Sequence, residues 1–99
     1  MLTVMRTKRG TMPTERPERY AKQLASHWAK RGKQVEDGAT TTLHFDNGQI
    51  VVLRPAEGRL DLEVSVPDDG DLDVDRWAQV VTEHLQRFGQ RDELLVTWD

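Results

Sequence analysis

Hydrophobic and polar residues alternate without interruption from Arg59 to Val66, with Leu60, Leu62, Val64 and Val66 on one side and Arg59, Asp61, Glu63 and Ser65 on the other. Successive side chains of a strand point to opposite faces, so this stretch predicts a strand with one dry and one wet face. An antiparallel sheet covered on one side only has this pattern. The rest of the chain must supply neighbours for that strand and a cover for its apolar face. Tyr20, Leu24 and Trp28 recur at helical spacing, with Pro17 and Ala21 on the same side, and predict a helix over Glu15–Arg31. Thr14 suits its N-cap, Pro17 its first turn and Gly32 its end. Val74, Trp77, Ala78, Val81, Leu85 and Phe88 predict a second helix. Asp71, Asp73 and Asp75 stand at its start, where backbone N–H groups lack partners, and Gly89 stands at its end.

Shorter elements lie between and beyond the helices. Gln34–Glu36 can start a strand, and Asp37-Gly38 is a turn signal. Thr40–Phe45 alternates, with Leu43 and Phe45 on one side. Asn47-Gly48 fits a two-residue type I′ hairpin loop. That register sets Phe45 opposite Ile50 and Leu43 opposite Val52, and turns Val51 and Leu53 to the outer face. A three-residue loop, Asp46 to Gly48, would instead turn Val51 and Leu53 inward. The first is preferred here because it gathers Ile50 and Val52 with Leu43 and Phe45. Residues 55–58 form the next turn, and Pro67 ends the central strand, since proline cannot donate to a ladder. Glu93–Trp98 reads as a last strand with Leu94, Val96 and Trp98 on one face.

The expected order is α-β-β-β-(β)-α-β. It implies an α+β two-layer sandwich with an antiparallel sheet of four to five strands and two helices on one face. Residues 1–12 are expected to form a disordered arm or an edge strand, and residues 13–99 a single domain.

Composition narrows the function classes. With no cysteine among 99 residues there is no disulfide framework, thiolate metal site or cysteine nucleophile, which suits the cytoplasm. No apolar run approaches the ~20 residues of a membrane helix. Charge is split along the chain: residues 1–33 hold nine basic and two acidic residues, and residues 34–99 hold five basic and fifteen acidic ones, for a net of −3. Such a split suits either an anionic partner or an acidic counterpart within the same fold or in a second copy. Nucleic acid is not an expected partner, because the basic third lacks interleaved exposed aromatics and the whole chain is acidic.

No phosphate-binding glycine loop, G-x-S-x-G elbow or H-E-x-x-H motif is present. Three histidines without cysteine make a poor zinc set unless carboxylates complete it, and no metal, cofactor or catalytic residue is expected. The histidines at 27 and 84 each flank the apolar stripe of their helix. Side-by-side helices would bring them to a common seam near Arg16, Tyr20 and Arg87, forming a polar, titratable pocket. Such a pocket could take an anion, a metal or an iron-bearing ligand, or could be two packed, half-exposed imidazoles. His44 falls on the outer face.

Thr14-Glu15-Arg16-Pro17-Glu18-Arg19-Tyr20, Leu24, His27-Trp28 and, later, His84-Leu85-Gln86-Arg87-Phe88 with Trp98 resemble the bacterial family named domain of unknown function 2218. The resemblance runs from about Thr11 to Trp98. It implies small proteins, some fused to or encoded beside siderophore-interacting flavoprotein reductases, and it singles out Tyr20, His27, His84 and Arg87 as motif positions. The hairpin at Asp46-Asn47-Gly48 is longer than the family's turn.

The residues point to a non-enzymatic accessory binding module, and the resemblance implies a link to iron or siderophore handling. Arg16, Arg19 and Arg87 would attract an anionic iron-bearing ligand or a siderophore-interacting reductase, with His27 and His84 lining the seam. One alternative is a protein–protein or dimerisation module docking through Val51 and Leu53 on the outer sheet face. The other is an enzyme using a histidine as general base.

Overall fold

The structure, a computed structural model, describes residues 4–68, 70–89 and 94–99. Its elements in chain order are β1 (Met5–Pro13), α1 (Pro17–His27), β2 (Gly32–Asp37), β3 (Thr40–Phe45), β4 (Ile50–Ala56), β5 (Arg59–Pro67), α2 (Val74–Phe88) and β6 (Thr97–Trp98). All six strands join one antiparallel sheet in the order β2-β3-β4-β5-β1-β6. The fold is therefore α+β, with six strands where four or five are expected from the hydrophobic pattern.

The alternating stretch is β5, flanked by β4 and β1. Leu60, Leu62, Val64 and Val66 are buried and join one core with Leu24, Ala25 and Trp28 of α1 and Trp77, Val81 and Leu85 of α2. Burying each Leu or Val side chain contributes about 1.5–3 kcal/mol, so this face dominates the stability.

Of the N-terminal stretch, residues 1–3 lie outside the described residues, and Met5–Pro13 forms the strand β1. β1 pairs with β5 over its whole length, from Met5↔Pro67 to Pro13↔Arg59, and β6 covers its other side at Gly10↔Trp98 and Thr11↔Thr97. Its weak hydrophobic pattern has a physical reason. On the core-facing side Lys8 replaces an apolar residue and ion-pairs with Asp75 at the start of α2, at 2.6 Å. Gly10 leaves room for the Trp98 ring, because a Cβ there would lie 2.6 Å from a ring carbon. Only Met12 is fully buried and apolar. The Trp98 indole N–H then donates to Thr82 Oγ1 at 2.8 Å, and that hydroxyl donates to the Ala78 carbonyl, tying the last strand to α2. The sixth strand is shorter than expected, Thr97–Trp98, and residue 93 lies outside the described residues.

The basic third meets acidic groups of its own fold. Arg6 pairs with Asp68, Lys8 with Asp75, and Arg9 with Glu63. Arg54 and Arg59 add pairs to Glu63 and Asp61 on the outer face. Arg6, Lys8 and Arg9 all belong to β1.

The hairpin register differs from expectation. Phe45 N–H donates to the Gln49 carbonyl at 2.9 Å and Gly48 N–H to the Phe45 carbonyl at 3.0 Å, so Asp46-Asn47-Gly48 is a three-residue loop. Gly48 takes φ +92°, the left-handed residue that follows a type I turn in such loops. Asn-Gly serves either loop, which is why the dipeptide alone does not decide the register. Leu43 consequently faces Val51 and Thr41 faces Leu53. The expectation that Val51 and Leu53 form an outer docking surface is overturned, since both are 0 % exposed and belong to the core. Ile50 and Val52 take the opposite face, with Val52 paired to Glu63 on β5.

α1 is shorter than the apolar stripe suggests. Its N-cap is Arg16, without a side-chain cap, while Thr14 Oγ1 accepts from Arg16 N–H at 3.0 Å and shapes the entering turn. The helix stops at His27 because Arg31 and Gly32 N–H groups both return to the Trp28 carbonyl, and the chain at once enters β2. Gly32 is thus a strand residue packed under the Phe45 ring rather than a helix cap. α2 begins as expected, with Asp73 accepting from Asp75 N–H at 2.9 Å. Among the described residues no helix is long and apolar enough to cross a membrane.

The register yields a direct contrast. Val51→Lys buries a charge and should unfold the protein in urea titrations followed by tryptophan fluorescence, a loss above about 3 kcal/mol. Val52→Lys, opposite Glu63, should stay within about 1 kcal/mol of the parent. The reverse ranking would indicate the two-residue loop.

Candidate functional site

The two helices run antiparallel over the sheet, with Tyr20 beside Gly89 and Trp28 beside Trp77. Between them lies a run of aromatic rings. Trp28 stacks on Trp77 with centroids 5.2 Å apart, and Phe45 meets both edge-on at 5.5 and 5.3 Å. The Trp77 indole N–H donates to the Ile50 carbonyl at 3.0 Å, fixing the stack to β4. Offset and edge-to-face pairs of this kind add about 0.5–1.5 kcal/mol each beyond burial.

The two helix-flank histidines extend this run toward solvent. The centroids of His27 and His84 lie 5.1 Å apart, as expected from their places on the flanks of the two stripes. His84 also packs on Trp28 at 4.9 Å, and His27 meets Phe88 edge-on at 5.7 Å. His27 is exposed and His84 half-buried. His84 Nδ1 lies 2.7 Å from the Val80 carbonyl, one turn back in α2. A carbonyl can only accept, so in the neutral ring Nδ1 carries the proton and Nε2 keeps its lone pair. Beside His27 is an open groove of about 430 Å³ lined by Lys22, Gln23, Ser26, His27 and Phe88. Gln23 Oε1 is buried, with no hydrogen-bond partner among the described residues.

Of the other proposed ligand residues, Arg16, Arg19 and Tyr20 lie away from the pair. Arg16 and Arg19 stand at the opposite end of α1. At 1.5 Å per residue, Arg16 is about 16 Å along the axis from His27. A helical wheel places Arg16 beside His27 because it projects that distance away. Both arginines instead line an open groove with Glu15, Glu18 and Glu57, whose acids offset their charge. Tyr20 is buried in the core, 3 % exposed, with its hydroxyl toward Gly89. Arg87 is exposed in the last turn of α2, three residues beyond His84. His44 is exposed on the outer face, paired in register with Lys33 and Ile50. Sequence reasoning missed Lys22 and Gln23. Gln23 is one helical turn before His27, and that i, i+4 spacing is the signal that could have included it.

The sequence model of the family described as "Uncharacterized protein conserved in bacteria (DUF2218)" matches residues 9–99. The chain belongs to this family. The DUF2218 match takes in all three histidines, both described helices and the six described strands apart from the first residues of β1. A comparison with curated proteins found no match. Among solved structures, the NMR structure of PA4090 from Pseudomonas aeruginosa is similar, with a TM-score of 0.69, 22 % sequence identity and 94 % of each chain covered. At that identity the likeness concerns the fold of this DUF2218 protein and not its ligand.

The Val80 contact predicts an uncommon tautomer. Long-range ¹H–¹⁵N spectra of the protein, taken at a pH where imidazole is neutral, should show His84 protonated at Nδ1. A His84 signal protonated at Nε2 would contradict the hydrogen bond.

Proposed function

We propose that this protein is a non-enzymatic binding module whose ligand seats in the groove against His27, His84 and Phe88. The observation that carries this reading is the convergence of two imidazoles from distant parts of the chain, the exposed one of them lining a groove. An apolar seam could be closed with leucine and phenylalanine alone. Two polar, titratable rings at its mouth make sense where something outside the fold meets them.

The reading extends to iron handling, in line with the family resemblance. On this view the ligand is an anionic ferric chelate of the siderophore class, exchanged with a siderophore-interacting reductase. Such a chelate already satisfies its iron with oxygen donors, so the protein need supply only positive charge, hydrogen-bond donors and shape. Lys22 supplies the charge, Ser26 and the imidazoles the donors, and Phe88 an apolar wall. A general-base enzyme has less support. Among the described residues no carboxylate orients either imidazole and no hydroxyl bonds to one.

Titrating ¹⁵N-labelled protein with gallium(III)-loaded catecholate and hydroxamate chelates, diamagnetic stand-ins for the ferric forms, tests the proposal. Saturable shifts are expected at Lys22, His27, His84 and Phe88. Spectra unmoved by both chelates in large excess would refute it.

A further inference from the structure

We infer that His27 and His84 form a direct ligation site for a divalent transition-metal ion of the zinc, nickel and copper class. The inference rests on the groove reading above for its location, but it changes the chemistry from charge recognition of a finished chelate to coordination by ring nitrogen. It also departs from the expectation, drawn from the sequence, of no metal.

Geometry carries the first step. Two imidazoles sharing a tetrahedral ion at Zn–N of ~2.0–2.1 Å have centroids about 5.2 Å apart. The observed separation is 5.1 Å.

The state of His84 carries the second. Metal-binding histidines commonly donate their second ring N–H to a carbonyl or carboxylate, which fixes the tautomer and aims the lone pair. The 2.7 Å contact to the Val80 carbonyl does this within α2 and leaves Nε2 as the only lone-pair nitrogen. The ring is further held against Trp28 at 4.9 Å, and His27 against Phe88 at 5.7 Å, so little side-chain freedom is lost on binding.

The donor set fixes the ion class. Neutral imidazoles favour zinc, nickel and copper over magnesium and calcium, which prefer carboxylate oxygen. Among the described residues no group of three or more His, Cys, Asp or Glu side chains gathers to hold an ion. The two imidazoles would therefore leave coordination positions open for water or for the oxygen donors of a small ligand.

Isothermal titration of the full chain with Zn²⁺ or Ni²⁺ alone, in a non-coordinating buffer, tests this. One ion per chain is expected, with affinity at least tenfold weaker in both His27→Ala and His84→Ala and unchanged in His44→Ala. His27 is exposed, so His27→Ala should keep the parent circular dichroism and remain informative if His84→Ala does not fold. Absence of binding by the parent, or binding that survives His27→Ala intact, would overturn the inference. Metal binding without chelate binding sinks the ferric-chelate reading and leaves this one standing. Chelate binding without metal binding does the reverse.

Discussion

Burial of the single apolar face of β5 is the constraint on which the rest of the structure depends. Leu60, Leu62, Val64 and Val66 cannot be left against water, and the opposite face of the same strand carries Arg59, Asp61, Glu63 and Ser65. The sheet can therefore be covered on one side only, and both helices must share that side. Their stripes, Tyr20–Leu24–Trp28 and Trp77–Val81–Leu85, are both consumed by that cover. Two helices side by side on one sheet have a seam between them, and residues at the flanks of the stripes meet there. The proximity of His27 and His84 follows from this arrangement and not from any local motif.

The aromatic rings decide how rigid that seam is. Trp28, Trp77 and Phe45 join both helices to the middle of the sheet, and the Trp77 indole is anchored on a backbone carbonyl of β4. His84 rests on the end of this stack and His27 on Phe88. The imidazoles thus sit on rigid elements whose side chains are already ordered, which favours binding through preorganisation. Charge follows a different plan. The basic residues of β1 are matched by Glu63 of β5, Asp68 just beyond it and Asp75 of α2, so part of the uneven charge distribution along the chain is paired within the fold. Exposed pairs of this kind add little stability individually, but they leave the basic third with less need of an external anion.

Elements with strong periodicity were legible in the chain. Arg59–Val66 alternates at period two and α2 repeats at 3.6, and both are found with their expected faces inward. β1 was illegible because its core-facing positions are Lys8, Gly10 and Met12, selected by an ion pair and a tryptophan ring rather than by hydrophobicity. The hairpin register failed because Asn47-Gly48 suits two loop lengths, and one residue of slip exchanges Val51 and Leu53 with Ile50 and Val52. At the site, angular position was legible and axial position was not. His27 and His84 meet, while Arg16, close to His27 on a wheel, stands about three turns away, and Arg19 about two. Gln23 was overlooked although it stands one helical turn before His27, a spacing the sequence does show.

The central claim is that two helices covering one sheet face press the His27 and His84 rings together. Nuclear Overhauser spectra of the protein with both histidines assigned test it most directly. Cross-peaks between the carbon-bound ring protons of His27 and His84, alongside peaks linking the Trp28 and Trp77 indoles, are the predicted result. Strong Trp28–Trp77 peaks with no contact between the imidazoles would keep the core but contradict the seam on which the site depends.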